Sequence, residues 1–324
     1  PRRSPSPEKT PAGDQEAQKL LDLLVQALVD IKLPVEPVGY LIGPRVIRLK
    51  IKPDIQKGAI FAKISNKAKD LQIHLALGTA PYMIPGPGYL AVDVPRRRSE
   101  PVLLGRVWED GQANRPQSKV AFPLGVSIEG QVQWADLSSP TMTSILAAGT
   151  AGSGKSVFLR SAILGLARES GPDEVIFTLI DPKLVTFGDI KDLPHLSGPL
   201  IFDIEAAVRA LSGLVEQMEE RYLLMAQSQV VDIAGYNAKN RPLAHHVIVI
   251  DEYADLMTDR DLKKTTEPLV QRLCQKGRAA GFHLILATQR PDAQVVTPLI
   301  KANLQLKIAL KVTSATNSKI ILDE

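Results

Sequence analysis

The run Gly149-Thr150-Ala151-Gly152-Ser153-Gly154-Lys155-Ser156 has the residue types and spacing of a loop that wraps phosphate. Its glycines let successive backbone N–H groups turn toward one set of oxygens, and a helix starting directly after them adds the positive end of its dipole. The apolar stretch TSILAAG precedes the run, and VFLRSAILGLA, with helical periodicity, follows it. That is the strand–loop–helix context the motif requires. In that setting Lys155 reaches the β- and γ-phosphates of a nucleotide and the Ser156 hydroxyl ligates Mg²⁺. A merely Gly-rich turn gives no reason for the Lys-Ser pair.

A second segment, HVIVIDEYADLM (246–257), buries a strand and brings Asp251 out at its carboxyl end, where ligands sit in open α/β sheets. Asp251 can hold the Mg²⁺ shell, and Glu252 beside it can polarise an attacking water. The bland alternative for Glu252 is a carboxylate at a helix start. HLILATQRP (283–291) is another buried strand; Gln289 at its tip either senses the γ-phosphate or caps the strand end. In QKGRAAGF (275–282), Arg278 offers a guanidinium for the charge that builds on a transferring phosphoryl group, with Arg272 as a rival. Either arginine on its own also reads as a surface charge. His245 and His246 lack a metal-ligand partner pattern and read as structural. Asp181 and Lys183, at the end of a strand, serve coupling, or else a local salt bridge or turn.

These residues need a scaffold. The apolar runs 143–149, 174–180, 246–250, 283–288 and 306–312 alternate with helical patterns such as 205–227. Near-continuous apolar strands suit a mostly parallel sheet with helices on both faces, the α/β class. One strand, 174–180, lies between the phosphate loop and the Asp-Glu strand. This arrangement, with an extra central strand and an adjacent Glu, resembles the RecA-like ATPases, so residues 119–324 are expected to be a RecA-like P-loop ATPase domain. Before it, residues 17–118 read as a small α+β domain with an N-terminal helix. Leu20, Leu21, Leu24, Leu28 and Ile31 line one stripe of that helix. Strands are predicted at 46–51, 58–64 and 88–94, a helix at 65–77 and a linker at 108–118. Residues 1–16, rich in Pro, Ser and charge, read as a disordered linker.

Composition excludes several classes. Cys274 is the only cysteine, so neither a disulfide framework nor a cysteine zinc site is available, and a cytoplasmic location fits. No apolar run is long enough to span a membrane. Aromatic residues make up 5%, too few for a base-stacking platform. The net charge of +4 is uneven. Residues 34–120 carry 14 Lys/Arg against 7 Asp/Glu, whereas 121–324 carry 20 against 23, so the basic excess lies in the small domain.

Over residues 34–324 the sequence resembles the FtsK/SpoIIIE family of double-stranded DNA translocases. The matching segments are LIDPK (179–183), LPHL (193–196), MEERY (218–222), AGYN (234–237), IDEYADLM (250–257), GRAAG-HL-LATQRP (277–291) and LIKAN (299–303). GPRVIR (43–48), ISNKAKDL (64–71) and IPGPGYLAVDVP (84–95) resemble the family's α subdomain. The resemblance implies ATP as substrate, a hexameric ring that threads duplex DNA, and a task in chromosome segregation at cell division. It makes Arg278 the arginine acting in trans, and Arg290 and Lys301 contacts to the DNA backbone. It also implies a longer protein with a DNA-reading winged helix and an inner-membrane anchor. A secretion- or conjugation-type motor moving protein or single-stranded DNA is the alternative. The family's T-S-S-K segment reads Thr313-Ser314-Ala315 here, so its trans-acting lysine is absent, and Lys319 stands where an Arg is usual.

Overall fold

The computed structural model describes residues 11–322, which form two compact units. Residues 1–10 of the expected linker lie outside the described residues. Of the described residues, the first unit holds 11–114 and 125–133, the second 115–124 and 134–322. A single boundary at 118 is therefore not what the chain does, because residues 125–133 return to the first unit.

The first unit opens with α1 (Pro11–Asp30). Residues 11–16, expected as linker, are helical. The helix starts ahead of its apolar stripe: Gly13 is already buried, and Ala17 is the first buried apolar side chain. Four antiparallel strands follow: β1 (Val35–Ile42), β2 (Val46–Pro53), β3 (Tyr82–Gly86) and β4 (Tyr89–Pro95), in the order β1-β2-β4-β3. Alternate residues Ile47, Leu49, Ile51, Leu90, Val92 and Val94 face the apolar stripe of α1. That alternation is the period-2 signature of a half-buried antiparallel sheet.

Two expectations for this unit are corrected. Residues 58–64 are not a strand. Gly58 (φ +83°) ends a 3-10 turn whose N-terminal residue, Asp54, accepts the Lys57 N–H, and the chain then enters α2 (Phe61–Ser65) and α3 (Ala68–His74). Ala59 and Ile64 are buried while Ile60 and Phe61 are exposed. Short apolar runs fit either period, and the sheet positions went to 35–42 and 82–86 instead. The expected linker at 108–118 begins inside α4 (Leu104–Asp110), held by buried Val107 and Trp108, and continues through a 3-10 turn at Gln112–Asn114.

The two-stranded ribbon β5 (Ala121–Val126) and β6 (Val132–Asp136) precedes the main sheet. The second unit then runs β7 (Ser144–Ala148), α5 (Lys155–Glu169), β8 (Val175–Ile180), α6 (Ile204–Gln227), α7 (Ile233–Asn237) and β9 (His245–Ile250). It ends with α8 (Arg260–Ala280), β10 (Phe282–Thr288), α9 (Pro298–Asn303), β11 (Leu306–Ala309) and α10 (Ala315–Leu322). The sheet is parallel, in the order β11-β7-β10-β9-β8. Its two faces bury separate cores. Ile145, Ala147, Phe177, Val247, Val249 and Ile285 pack with α5, whereas Leu146, Ile180, Ile248, Ile250, Leu284 and Leu286 pack with α6 and α8. This is the RecA-like layering expected. The strand between the phosphate-loop strand and the Asp-Glu strand is β10, however, not β8, which lies at the sheet edge. Chain order does not give sheet order when crossovers skip a position. Among the described residues no helix is long and apolar enough to cross a membrane.

At the amino ends of β9 and β10 three histidines are packed neutral. His245 Nδ1 lies 3.0 Å from His283 Nε2, and His246 Nε2 is 2.8 Å from Thr178 Oγ1. Burial, aided by the Arg221 guanidinium, lowers His245 to about 4 against a weak opposing pull from Asp136. Burial and Arg221 likewise lower His246 to about 3, and burial, with the neighbouring His245 next in weight, holds His283 well below its ordinary value. The sequence reads His245 and His246 as structural, and both pack in the interior with His283 beside them. Their unfolded-state pKa is near 6.5, so the unfolded chain takes up protons first as pH falls. Their contribution to stability is whole above pH 6.5 and declines from there toward pH 4 and 3. Each histidine adds a slope of up to about 1.4 kcal/mol per pH unit. A melting midpoint that stays level between pH 6.5 and 4 contradicts this; His246→Gln is expected to flatten part of the decline.

Candidate functional site

The carboxyl ends of β7, β9 and β10 gather the site. After β7 the chain turns through Gly149–Gly154 into α5. Two glycines there are obligatory. A Cβ on Gly149 would lie 2.6 Å from Ser153 Oγ and 2.7 Å from Leu310 Cβ, and Gly154 adopts φ +101° where the helix begins. The loop is pinned from behind. The Gly149 N–H donates to the Thr288 carbonyl (3.2 Å) and the Thr150 N–H to the Lys311 carbonyl (2.9 Å). No side chain caps the first turn of α5, so its N–H groups face the loop mouth uncommitted to a cap. The cradle, too tight for any side chain at Gly149, fits a phosphate chain. Ala151 and Gly152 at its crest are exposed, and Thr150 and Ser153 are half-buried.

Lys155 is buried, with its ammonium against Asp251 Oδ1 and 3.9 Å from Glu252 Oε2. Asp251 Oδ2 accepts the Thr186 hydroxyl, which also touches Ser156 Oγ at 3.1 Å. The two expected metal residues, Ser156 and Asp251, are thus joined through one hydroxyl. All three groups are hard oxygen donors, which suits Mg²⁺. Among the described residues no cluster of three or more His, Cys, Asp or Glu side chains could hold a metal. A cation here would therefore take the rest of its shell from phosphate and water.

Glu252 is buried and has left-handed backbone (φ 69°, ψ 66°), a conformation costly for a residue with a Cβ. Its carboxylate is fixed from β10. Oε1 accepts the Thr288 hydroxyl (2.9 Å) and the Gln289 N–H (3.0 Å). The Lys183 ammonium lies 3.7 Å from Glu252 Oε2 and 3.5 Å from Asp255 Oδ2. Glu252 does sit at the start of a short 3-10 helix, Tyr253–Met257, but its side chain makes no capping bond there. Gln289 is half-buried beside it, at the strand tip the sequence predicts.

Arg278 lies elsewhere. It ends α8, and β10 runs its full length between it and Gln289, a span of about 20 Å at strand geometry. Arg278 is exposed, with no carboxylate in ion-pair reach among the described residues. The rival Arg272 is bound to Glu219 at 2.8 Å. Arg290 is exposed just past β10, its N–H donating to Thr288 Oγ1 at 3.0 Å. Lys301, in α9, is half-buried and its ammonium lies 3.5 Å from the Lys319 carbonyl. Sequence reasoning missed Thr186 and Thr288. Thr288 stands within the ATQ run at the end of β10. Thr186 has no motif, and its one signal is the preceding LIDPK turn. There Asp181 Oδ2 accepts the N–H groups of Thr186 (2.8 Å) and Phe187 (3.2 Å), so Asp181 shapes a loop rather than pairing with Lys183.

The profile of the FtsK/SpoIIIE family matches residues 103–248 and 238–293, and that of the FtsK alpha domain matches residues 3–96. The chain is 39% identical over 298 residues to the DNA translocase FtsK of Streptococcus pyogenes serotype M6, covering 87% of this chain and 36% of that one. With the Streptococcus pneumoniae DNA translocase FtsK it is 38% identical over 91% of this chain and 39% of that one. The chain thus spans well under half the length of these relatives. Among solved structures, the pCW3 conjugation coupling protein TcpA with ATPγS superposes at a TM-score of 0.61. It is 22% identical, covering 94% of this chain and 87% of that one. The cytoplasmic domain of the Thermomonospora curvata type VII secretion ATPase EccC gives 0.56 at 26% identity, covering 64% of this chain and 26% of that one. With both profiles matched in order and a phosphate loop on a RecA-like sheet, the chain is a P-loop NTPase and belongs to the FtsK/SpoIIIE family.

Proposed function

We propose that this chain is an ATP-driven motor that grips double-stranded DNA by its backbone and moves it as part of a hexameric ring. The observation that carries the reading is the convergence of Lys155, Asp251 and Glu252 on the phosphate cradle. Lys155 and the loop N–H groups hold the triphosphate. Mg²⁺ on Ser156 and Asp251 would neutralise charge on the β- and γ-phosphates. Glu252, oriented by Thr288 and Gln289, takes the proton of the attacking water. Gln289 reports on the γ-phosphate through the bond its N–H makes to Glu252. The relatives at 38–39% identity are DNA translocases, and the α-domain match extends that likeness beyond the ATPase unit.

A second reading is a conjugation- or secretion-type motor carrying single-stranded DNA or protein. Its support is the fold neighbours, which favour it over chromosome segregation: EccC is a secretion ATPase, and the TcpA likeness spans nearly the whole chain. ATP turnover measured with duplex DNA, single-stranded DNA and no DNA separates the two. Stimulation by duplex alone is expected; stimulation by single strands alone, or by neither, selects the second reading.

Arg290→Ala with Lys301→Ala is expected to weaken duplex binding on every sequence. It should also reduce the slope of log K against log salt by about 0.9 for each phosphate no longer neutralised. An unchanged slope removes both residues from the DNA interface.

A further inference from the structure

Thr186 lies in no motif, yet it is buried at the point where the two expected metal residues meet. Its hydroxyl bonds to Asp251 Oδ2 and lies 3.1 Å from Ser156 Oγ. The direction of these bonds follows from proton counting. A hydroxyl carries one hydrogen, and an ionised carboxylate can only accept. Thr186 therefore donates to Asp251, and Ser156 must donate to Thr186. The Ser156 proton is thereby turned away, and both of its lone pairs remain for a cation. A serine that kept its proton toward the metal would be a poor ligand. Thr186 is itself held by backbone, since Asp181 Oδ2 receives the Thr186 and Phe187 N–H groups. Asp181 is buried, and its loop returns Thr186 to the mouth of the nucleotide site.

We propose that Thr186 is a positioning residue for the metal–nucleotide complex. By accepting from Ser156 and donating to Asp251, it sets the orientation of both oxygen ligands before the cation binds. The proposal rests on the ATPase reading of this site. Hydrogen-bond partners of metal ligands typically contribute about 10–100-fold in metal affinity, and an effect of this size is expected here.

The test is binding of a fluorescent ATP analogue titrated with Mg²⁺, and again in excess EDTA, for the wild-type protein, Thr186→Val and Thr186→Ser. Valine keeps the shape and leaves the Asp181 bonds to the backbone intact. With Thr186→Val the half-saturating Mg²⁺ concentration should rise about tenfold or more, while binding in EDTA stays at the wild-type level. Thr186→Ser should restore the wild-type Mg²⁺ dependence. An unchanged Mg²⁺ requirement in Thr186→Val overturns the proposal, as does an equal loss with and without Mg²⁺, which marks a structural role. If Thr186→Val does not fold, Thr186→Ala replaces it in the same two titrations: a raised Mg²⁺ requirement with wild-type binding in EDTA supports the proposal, and an unchanged requirement overturns it. If the wild-type protein binds no nucleotide in any condition, the ATPase reading fails rather than the role of Thr186.

Discussion

Glu252→Gln is expected to lower ATP turnover by about 10²-fold or more while leaving nucleotide binding in place. The amide keeps the volume of the side chain. Its carbonyl can still accept from the Thr288 hydroxyl and the Gln289 N–H, so the strand tip stays in register. What it loses is the capacity to take a proton from water. Lys155→Ala should differ in kind. It removes the cation set against Asp251 and leaves a buried carboxylate without its charge partner, so binding and turnover fall together. Steady-state turnover with duplex DNA, paired with binding of a fluorescent nucleotide, separates the two. Wild-type turnover in Glu252→Gln would show that the base lies elsewhere, and intact binding in Lys155→Ala would dismiss the phosphate role of that lysine.

The other large effect concerns assembly. Arg278→Ala is expected to cost about 10³-fold or more in turnover, the usual scale for an arginine that completes a phosphoryl-transfer site. Yet Arg278 cannot reach the phosphate cradle of its own chain. The two sit at opposite ends of β10, and a buried strand is a rigid spacer. Only a second copy, presenting the amino edge of its sheet, can bring the guanidinium in. Neither Arg278→Ala nor Lys155→Ala subunits alone should hydrolyse ATP. Mixtures should recover part of the activity at interfaces that pair an intact loop with an intact arginine. No recovery at any mixing ratio argues against a role in trans. Arg272→Ala should have a small effect, because its guanidinium is already committed to Glu219.

Features set by local chemistry could be read from the chain. The phosphate loop was legible because a strand, a run of glycines, Lys-Ser and a helix are contiguous, and each constrains the next. The burial of 246–250 and 283–288 was legible because parallel strands covered on both faces admit few polar residues. The pairing of Asp251 with Glu252 was visible as well. Other features were not. Residues 58–64 carry an apolar pattern that fits a strand or a helix, and only the occupied sheet positions decided between them. The strand 82–86 was hidden in a passage rich in proline and glycine, where the local signal is for turns.

The sequence by itself determined the chemistry: a nucleotide loop, an acidic pair after a buried strand, and an α/β scaffold to carry them. These follow from residue types within a few positions of one another, where backbone geometry leaves little choice. Only the tertiary structure decided which strand is central, which carboxylate meets Lys155, that Thr186 ties Ser156 to Asp251, and that Arg278 faces away from its own site. Each of those depends on segments far apart in the chain, brought together by crossovers whose order a linear pattern does not encode. Burial of both sheet faces fixes that order, because a misplaced strand would leave one of the two cores unfilled.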